Sequence, residues 1–254
     1  MNTQYGLLGY PLGHSFSARF FADKFAREGI QATYTNFAYA DLGEAVSHLR
    51  AMPSLGGFNV TIPYKETIIP HLDALSPQAA EIGAVNVVKV VRDAEGQCRW
   101  IGENSDCTGF AESIRPLLQG LYGAKALVLG TGGVAKAVAH TLRKQWAIAV
   151  QPVSRSPRPG VMTYAQLTEE TVRAHPIIVN CTPVGMFPHT ALRPGIPYSG
   201  ITNCHVLFDT IYNPEETQFL REGRKHGAST MNGLEMLHIQ AREAWRMWTK
   251  LATD

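Results

Sequence analysis

The chain has 254 residues, 45% of them hydrophobic and 17% charged, with a formal net charge of +2. That length holds two modest domains with their own cores, and the ordinary composition excludes disordered and fibrous classes. A near-neutral balance argues against nucleic acid or an anionic membrane surface as partner, and no apolar run approaches the roughly 18 residues of a bilayer span.

The four cysteines, at 98, 107, 181 and 204, are far apart and form no C-x-x-C, which predicts reduced thiols. The nine histidines are scattered without ligand spacing, so no metal site is expected. The first residues, MNTQYGLLGYPLGHS, lack a basic region followed by an apolar core of signal length. This predicts a cytoplasmic protein.

Strands and helices alternate from the start. Residues 5–9 read as a strand, and a loop leads into Ser15-Phe16-Ser17. A helix follows with Phe16, Phe20, Phe21 and Phe25 as its apolar stripe and Ser17 as its expected N-cap. Two hydroxyls at a helix N-terminus equally suit a carboxylate. Residues 32–38 form the next strand, and Asp41 caps a helix carrying Leu42, Ala45, Val46 and Leu49 inward. A strand then runs to Ile62, and Pro63 is expected to open a helix.

Asn59 and Thr61 share one face of that strand. Lys65 lies just past its C-terminal end, where ligands gather in open α/β sheets. Taken alone, a lysine there reads as a solvated surface charge. Ser76-Pro77 starts a short helix that stops at Gly83, and residues 85–91 and 97–101 read as a hairpin with Asn86 at its beginning. Asp106 opens a helix with Phe110, Ile114, Leu117 and Leu118 inward, and its local reading is an N-cap.

The most informative stretch is 125–141, KALVLGTGGVAKAVAHT. A short buried strand meets Gly130, Thr131, Gly132, Gly133, Val134 and Ala135, and a helix follows. This is the form of a dinucleotide-binding turn: one glycine for the tight turn, one for close approach of a pyrophosphate, and a small residue for close helix–strand packing. Helix N-terminal amides then face the phosphates. An ordinary glycine-rich turn is the alternative. The next strand, 147–153, ends in Ser154-Arg155-Ser156 with Arg158 nearby, and no carboxylate occurs before Glu169. An acidic residue there would hold the ribose of NAD; arginine and hydroxyls suit the 2′-phosphate of NADP. A solvated basic loop is the competing reading.

Two more buried strands follow. One, 177–180, leads into Thr182-Pro183-Val184-Gly185-Met186; the other, 205–209, leads into Thr210-Ile211-Tyr212-Asn213-Pro214. A helix runs to about His226. The last helix begins near Gly233, with Leu234, Leu237, Ala241, Ala244, Trp245, Trp248 and Leu251 along one side. The alternation predicts an α/β chain with mainly parallel sheets.

Seven motifs occur in one order over nearly the whole chain: Ser15-Phe16-Ser17; Asn59-Val60-Thr61-Ile62-Pro63-Tyr64-Lys65; Gly83-Ala84-Val85-Asn86; Asn104-Ser105-Asp106; the glycine turn at 130–135; Asp209 with Tyr212 and Pro214; and GLEMLHIQ at 233–240. Each is weak alone. Together they resemble the NADP-dependent shikimate dehydrogenase family. The resemblance implies reversible reduction of 3-dehydroshikimate to shikimate, on the route to chorismate and aromatic amino acids. It implies two α/β domains with the active site in the cleft between them: a substrate domain, 1–105 plus 234–254, and a Rossmann-type NADP-binding domain, 106–233.

The resemblance also implies roles. Lys65 and Asp106 would be the catalytic pair. Ser15 and Ser17 would hold the substrate carboxylate, Asn59, Thr61, Asn86 and Asp106 its hydroxyls, and Tyr212 and Gln240 its other side. Gly130, Thr131, Gly132, Gly133, Val134 and Ala135 would hold the pyrophosphate, and Ser154, Arg155 and Ser156 the 2′-phosphate. Thr182, Met186 and Gly233 would line the nicotinamide. The expected partners are small molecules only, on a monomer or homodimer.

Three departures stand out. Ala18 replaces a usual proline, Ser154 a usual asparagine, and Val87 a frequent threonine. Two other readings compete: a quinate/shikimate dehydrogenase using NAD, against which Arg155 argues, and a non-catalytic ligand sensor. The presence of both Lys65 and Asp106, with no basic extension, argues against the sensor.

Overall fold

The computed structural model describes residues 2–13 and 16–250. These form two compact units. One comprises the residues up to Ser105 and those from Gln240 on; the other comprises Asp106–Ile239.

The first unit contains β1 (Thr3–Gly9), α1 (Phe16–Glu28), β2 (Ala32–Ala38), α2 (Leu42–Arg50), β3 (Leu55–Val60), β4 (Ala74–Leu75), α3 (Pro77–Ile82), β5 (Val87–Arg92) and β6 (Cys98–Glu103). Its sheet has the order β2-β1-β3-β5-β6-β4. The β1/β2, β1/β3 and β4/β6 pairings are parallel, whereas β3/β5 and the expected hairpin β5/β6 are antiparallel. Apolar side chains cover both faces. Phe58, Val60 and Val88 pack with Ala45 and Leu49 of α2 on one side. Tyr5 and Val87 pack on the other with Phe21 and Phe25 of α1 and with Ala244 and Trp248 of the last helix. The Trp248 indole also donates to the Val88 carbonyl at 3.0 Å.

The second unit contains α4 (Asp106–Ile114), β7 (Lys125–Leu129), α5 (Gly133–Trp146), β8 (Ala149–Ser154), β9 (Met162–Thr163), α6 (Glu169–Arg173), β10 (Ile177–Asn180), β11 (Val206–Asp209), α7 (Gln218–Lys225) and β12 (Ser229–Met231). The last helix, α8 (Leu234–Thr249), starts here and runs past the division. The six strands pair in parallel in the order β12-β11-β10-β7-β8-β9. With the first strand in the middle and the order reversing between β7 and β10, this is the doubly wound Rossmann arrangement.

Its strands are apolar throughout because both faces are buried. Along β7, Ala126 and Val128 face a core with Phe110, Val138 and Phe208, while Leu127 and Leu129 face another with Ile178, Leu207 and Phe219.

Three local expectations are corrected. First, α1 starts at Phe16, so Ser17 lies inside its first turn and does not cap it. Second, no helix opens at Pro63. Strand β3 stops at Val60, turns follow, and the first regular piece is a 3-10 turn at Ile69–His71. Pro70 accounts for this, since it lacks an N–H and its ring would meet the carbonyl four residues back. Third, Asp106 is the first residue of α4, not a cap outside it. The cap at Asp41 is as expected, with its carboxylate accepting from the Glu44 N–H at 2.8 Å.

Candidate active site

In the first unit, the C-terminal ends of β1 and β3 and the start of β5 carry the polar residues named above. Strand β3 ends at Val60, whose N–H bonds the Asn86 carbonyl at 2.9 Å, and the Thr61 N–H bonds Leu8 at 2.8 Å. Asn59 and Thr61 are thereby placed two residues apart on one side of the chain. The turn beyond them is pinned where the Val85 N–H donates to the Lys65 carbonyl at 2.8 Å. This sets half-buried Lys65 beside the Gly83–Asn86 segment rather than out on a solvated helix.

Asn86 is the centre of a hydrogen-bonded cluster and is only 2% exposed. Its Nδ2 donates to Ser105 Oγ at 3.0 Å and to Gln240 Oε1 at 3.1 Å, and its Oδ1 accepts from the Ser105 N–H at 2.7 Å. These contacts leave one orientation for the amide. Asn59 donates from Nδ2 to the Asn86 carbonyl at 3.2 Å and accepts at Oδ1 from the Tyr34 hydroxyl at 2.9 Å. Ser17 lies near that same phenol and opposes the rise that burial causes in its pKa.

Asn59, Asn86 and Gln240, from three distant segments, are thus joined within one unit, with Ser17 near Tyr34. Ser15 lies outside the described residues. Tyr34 and Ser105 are members of this cluster that sequence reading missed as contacts. Ser105 sat in a motif as the residue between Asn104 and Asp106. Tyr34 sat in a strand with no motif at all.

In the second unit, the glycine turn sits at the point where the strand order reverses. Gly130 has φ +111°, which favours glycine, and a Cβ there would also lie a tight 3.1 Å from the Cys181 carbonyl of the neighbouring strand's exit. Thr131 follows, then Gly132 begins α5 with no side-chain cap, Gly133 and Val134 form its first turn, and Ala135 is buried against the sheet. A Cβ at Gly132 would meet no protein atom, which leaves open space over the helix N-terminus. Uncapped amides, open space and the positive end of a 14-residue helix suit a pyrophosphate.

At the exit of β8, Arg155 and Ser156 are exposed, while Ser154 turns inward to bond the Ser156 carbonyl. Arg158 reaches Thr131 Oγ1 at 3.5 Å, so the basic loop leans towards the glycine turn. At the exit of β10, Asn180 Oδ1 accepts from the N–H and the hydroxyl of Thr182, at 3.0 and 2.6 Å. Its Nδ2 donates to Asp209 Oδ1 at 3.1 Å. Asp209 is buried and also accepts from Thr217 Oγ1 at 2.6 Å and from the Ile211 N–H at 3.0 Å. Burial outweighs these donors and pushes its carboxyl up to about 7.

Met186 is 44% exposed and Tyr212 38%, each on a loop tied to this network. Gly233 follows, and a Cβ there would lie 2.2 Å from the Thr210 carbonyl. Asp106 is 2% exposed at the start of α4. Among the described residues, no group of three or more His, Cys, Asp or Glu is placed to hold a metal ion, and no helix is long and apolar enough to cross a membrane.

Comparison with known proteins gives a consistent result. Residues 7–88 match the model of the shikimate dehydrogenase substrate binding domain. A shikimate dehydrogenase (NADP(+)) of Shouchella clausii is 36% identical over 266 residues, covering 98% of this chain and 94% of that protein. Among solved structures, shikimate 5-dehydrogenase of Thermus thermophilus in complex with NADP(H) and shikimate aligns with a TM-score of 0.83 at 32% identity, over 99% of this chain and 95% of that one. Quinate dehydrogenase of Corynebacterium glutamicum in complex with NAD aligns with a TM-score of 0.83 at 28% identity, over 100% of this chain and 95% of that one.

Proposed function

The chain belongs to the shikimate dehydrogenase family, and from that premise we propose that it catalyses the reversible, NADPH-dependent reduction of 3-dehydroshikimate to shikimate. The observation that carries this is the polar cluster of Asn59, Asn86 and Gln240, three positions of the family's motifs joined by hydrogen bonds in one unit, with Ser17 beside the Tyr34 phenol that bonds Asn59. An open Rossmann turn in the same chain suits the cofactor.

The roles divide by chemistry. NADPH, when bound, supplies the hydride for the carbonyl carbon, which no side chain can provide. Gly130, Thr131, Gly132, Gly133, Val134 and Ala135 hold its pyrophosphate, and Arg155 with Ser154 and Ser156 its 2′-phosphate. Ser154 serves through the loop shape it sets, since its hydroxyl is turned inward. Thr182, Met186 and Gly233 line the nicotinamide.

Lys65, as ammonium, polarises the substrate carbonyl and delivers the proton to its oxygen; in the oxidation direction it takes the hydroxyl proton. Asp106 is the second member of the proposed catalytic pair and accepts from the substrate hydroxyl. Ser15 and Ser17 hold the carboxylate, and Asn59, Thr61 and Asn86 the ring hydroxyls. Gln240 and Tyr212 are further substrate contacts. On this reading 1–105 plus 234–254 is the substrate domain and 106–233 the NADP domain. The protein works in the cytoplasm as a monomer or homodimer, with no nucleic-acid partner.

The likeness to an NAD-bound quinate dehydrogenase favours one second reading, a broader enzyme using quinate and NAD. The test is reduced-nicotinamide absorbance with purified protein and shikimate or quinate, each with NADP or NAD. Turnover confined to shikimate with NADP is expected. Comparable turnover with quinate or NAD assigns the broader enzyme, and a folded protein inactive in all four mixtures overturns the catalytic reading in favour of a sensor.

A further inference from the structure

The polar cluster of the first unit has one member that belongs to none of the motifs. Tyr34 lies in the middle of β2, an edge strand. Its ring is fixed by stacking on Phe21, with centroids 4.7 Å apart and planes 12° from parallel, and by Trp248 at 6.4 Å. Its hydroxyl is thereby held beside two proposed substrate contacts, donating to Asn59 Oδ1 at 2.9 Å with Ser17 nearby.

The direction of this bond matters. A phenol has one hydrogen, and here it is on the Asn59 carbonyl oxygen. Burial raises the Tyr34 hydroxyl above the ordinary phenol range, so it keeps that hydrogen at neutral pH. With Oδ1 engaged, one Nδ2 hydrogen goes to the Asn86 carbonyl at 3.2 Å. The other is what Asn59 offers a ligand oxygen. Without the phenol hydrogen, among the described residues only the bond to the Asn86 carbonyl would distinguish the amide from its flipped form.

We infer that Tyr34 is a positioning residue for substrate binding: it locks the Asn59 amide with Nδ2 towards a ring hydroxyl, beside the carboxylate-binding Ser17. The inference rests on Asn59 and Ser17 being substrate contacts, as proposed above. Tyr34 touches neither cofactor nor reacting atoms in this scheme, so its effect belongs to substrate affinity and not to the chemical step.

Tyr34→Phe is the test, because it keeps the ring and its stacking and removes only the hydroxyl. Steady-state kinetics should show KM for shikimate raised about tenfold, the cost of one lost buried hydrogen bond, with kcat, KM for NADP and the thermal midpoint unchanged. The same substitution in an Asn59→Ala background, followed as shikimate Kd by calorimetry where turnover is too low, should have a much smaller effect.

Wild-type activity with an unchanged shikimate KM in Tyr34→Phe overturns this role alone. So does a full effect that persists without Asn59. A fall in kcat with KM constant overturns it as well. A wild-type protein that turns over neither substrate overturns the activity reading, and this inference with it.

Discussion

Lys65 shows what a single residue can and cannot reveal. On its own it is an ordinary lysine after a strand. What gives it a proposed role is its company: a pinned turn, a carbonyl bonded to Val85, and a segment leading to Asn86. If Lys65 moves the proton on the substrate oxygen, Lys65→Ala removes general acid–base assistance, a loss of roughly 10²–10⁴ in kcat. Shikimate binding, read by calorimetry, should stay detectable because Ser17, Asn59 and Asn86 are untouched. Turnover near the parent level would remove Lys65 from the mechanism. The same comparison explains why Tyr34 was invisible in the sequence. Its neighbours lie 25 positions away at Asn59 and 17 positions back at Ser17, and no local pattern records such distances. Ser105 was closer to legible, since it stands inside Asn104-Ser105-Asp106, but nothing in that spacing says that it orients Asn86.

Elements were more readable than contacts. The strand–glycine–helix order at 125–141 and the hairpin of β5 and β6 follow from composition and turn chemistry, because buried parallel strands are apolar and hairpin turns are not. The failures came at element ends. Pro63 carries a helix-opening signal, yet Pro70 seven residues later forbids propagation, so the segment stays in turns.

Beyond the backbone bond from the Thr210 N–H to the Asn180 carbonyl, the exits of β10 and β11 are joined by a side-chain network with Asp209 as its buried carboxylate. Its folded value near 7, against 3.8 for an ordinary carboxyl, means that folding takes up a proton between those limits. Stability from this group is therefore present below about pH 4 and is lost as pH rises to about 7. Asp209→Asn removes that dependence. The stability of the wild type relative to the variant, from denaturant midpoints, should fall by on the order of a few kcal/mol across that window. A difference constant with pH would mean that the three donors win over burial and the carboxylate stays ionised.

At the scale of the molecule, the division into two units gives the assignment of substrate and cofactor a physical signature. Each unit has its own sheet and its own cores on both faces, so each opens and exchanges amide hydrogens through its own contacts. A ligand that binds the native form stabilises what it touches by RT ln(1 + [L]/Kd), about 2.7 kcal/mol at a hundredfold excess over Kd. If the proposed roles hold, NADP alone should slow exchange in β7, the first turn of α5 and the exit of β8. Shikimate alone should slow it at the end of β3, at the start of β5 and around Gln240. The glycine turn is the sharper probe, because its uncapped amides gain a phosphate partner directly. Hydrogen exchange followed by mass spectrometry resolves these peptides. Protection of the glycine turn by shikimate alone, or of the Asn59–Asn86 region by NADP alone, would reverse the assignment, whereas protection as stated would tie each ligand to the unit whose side chains were argued to hold it.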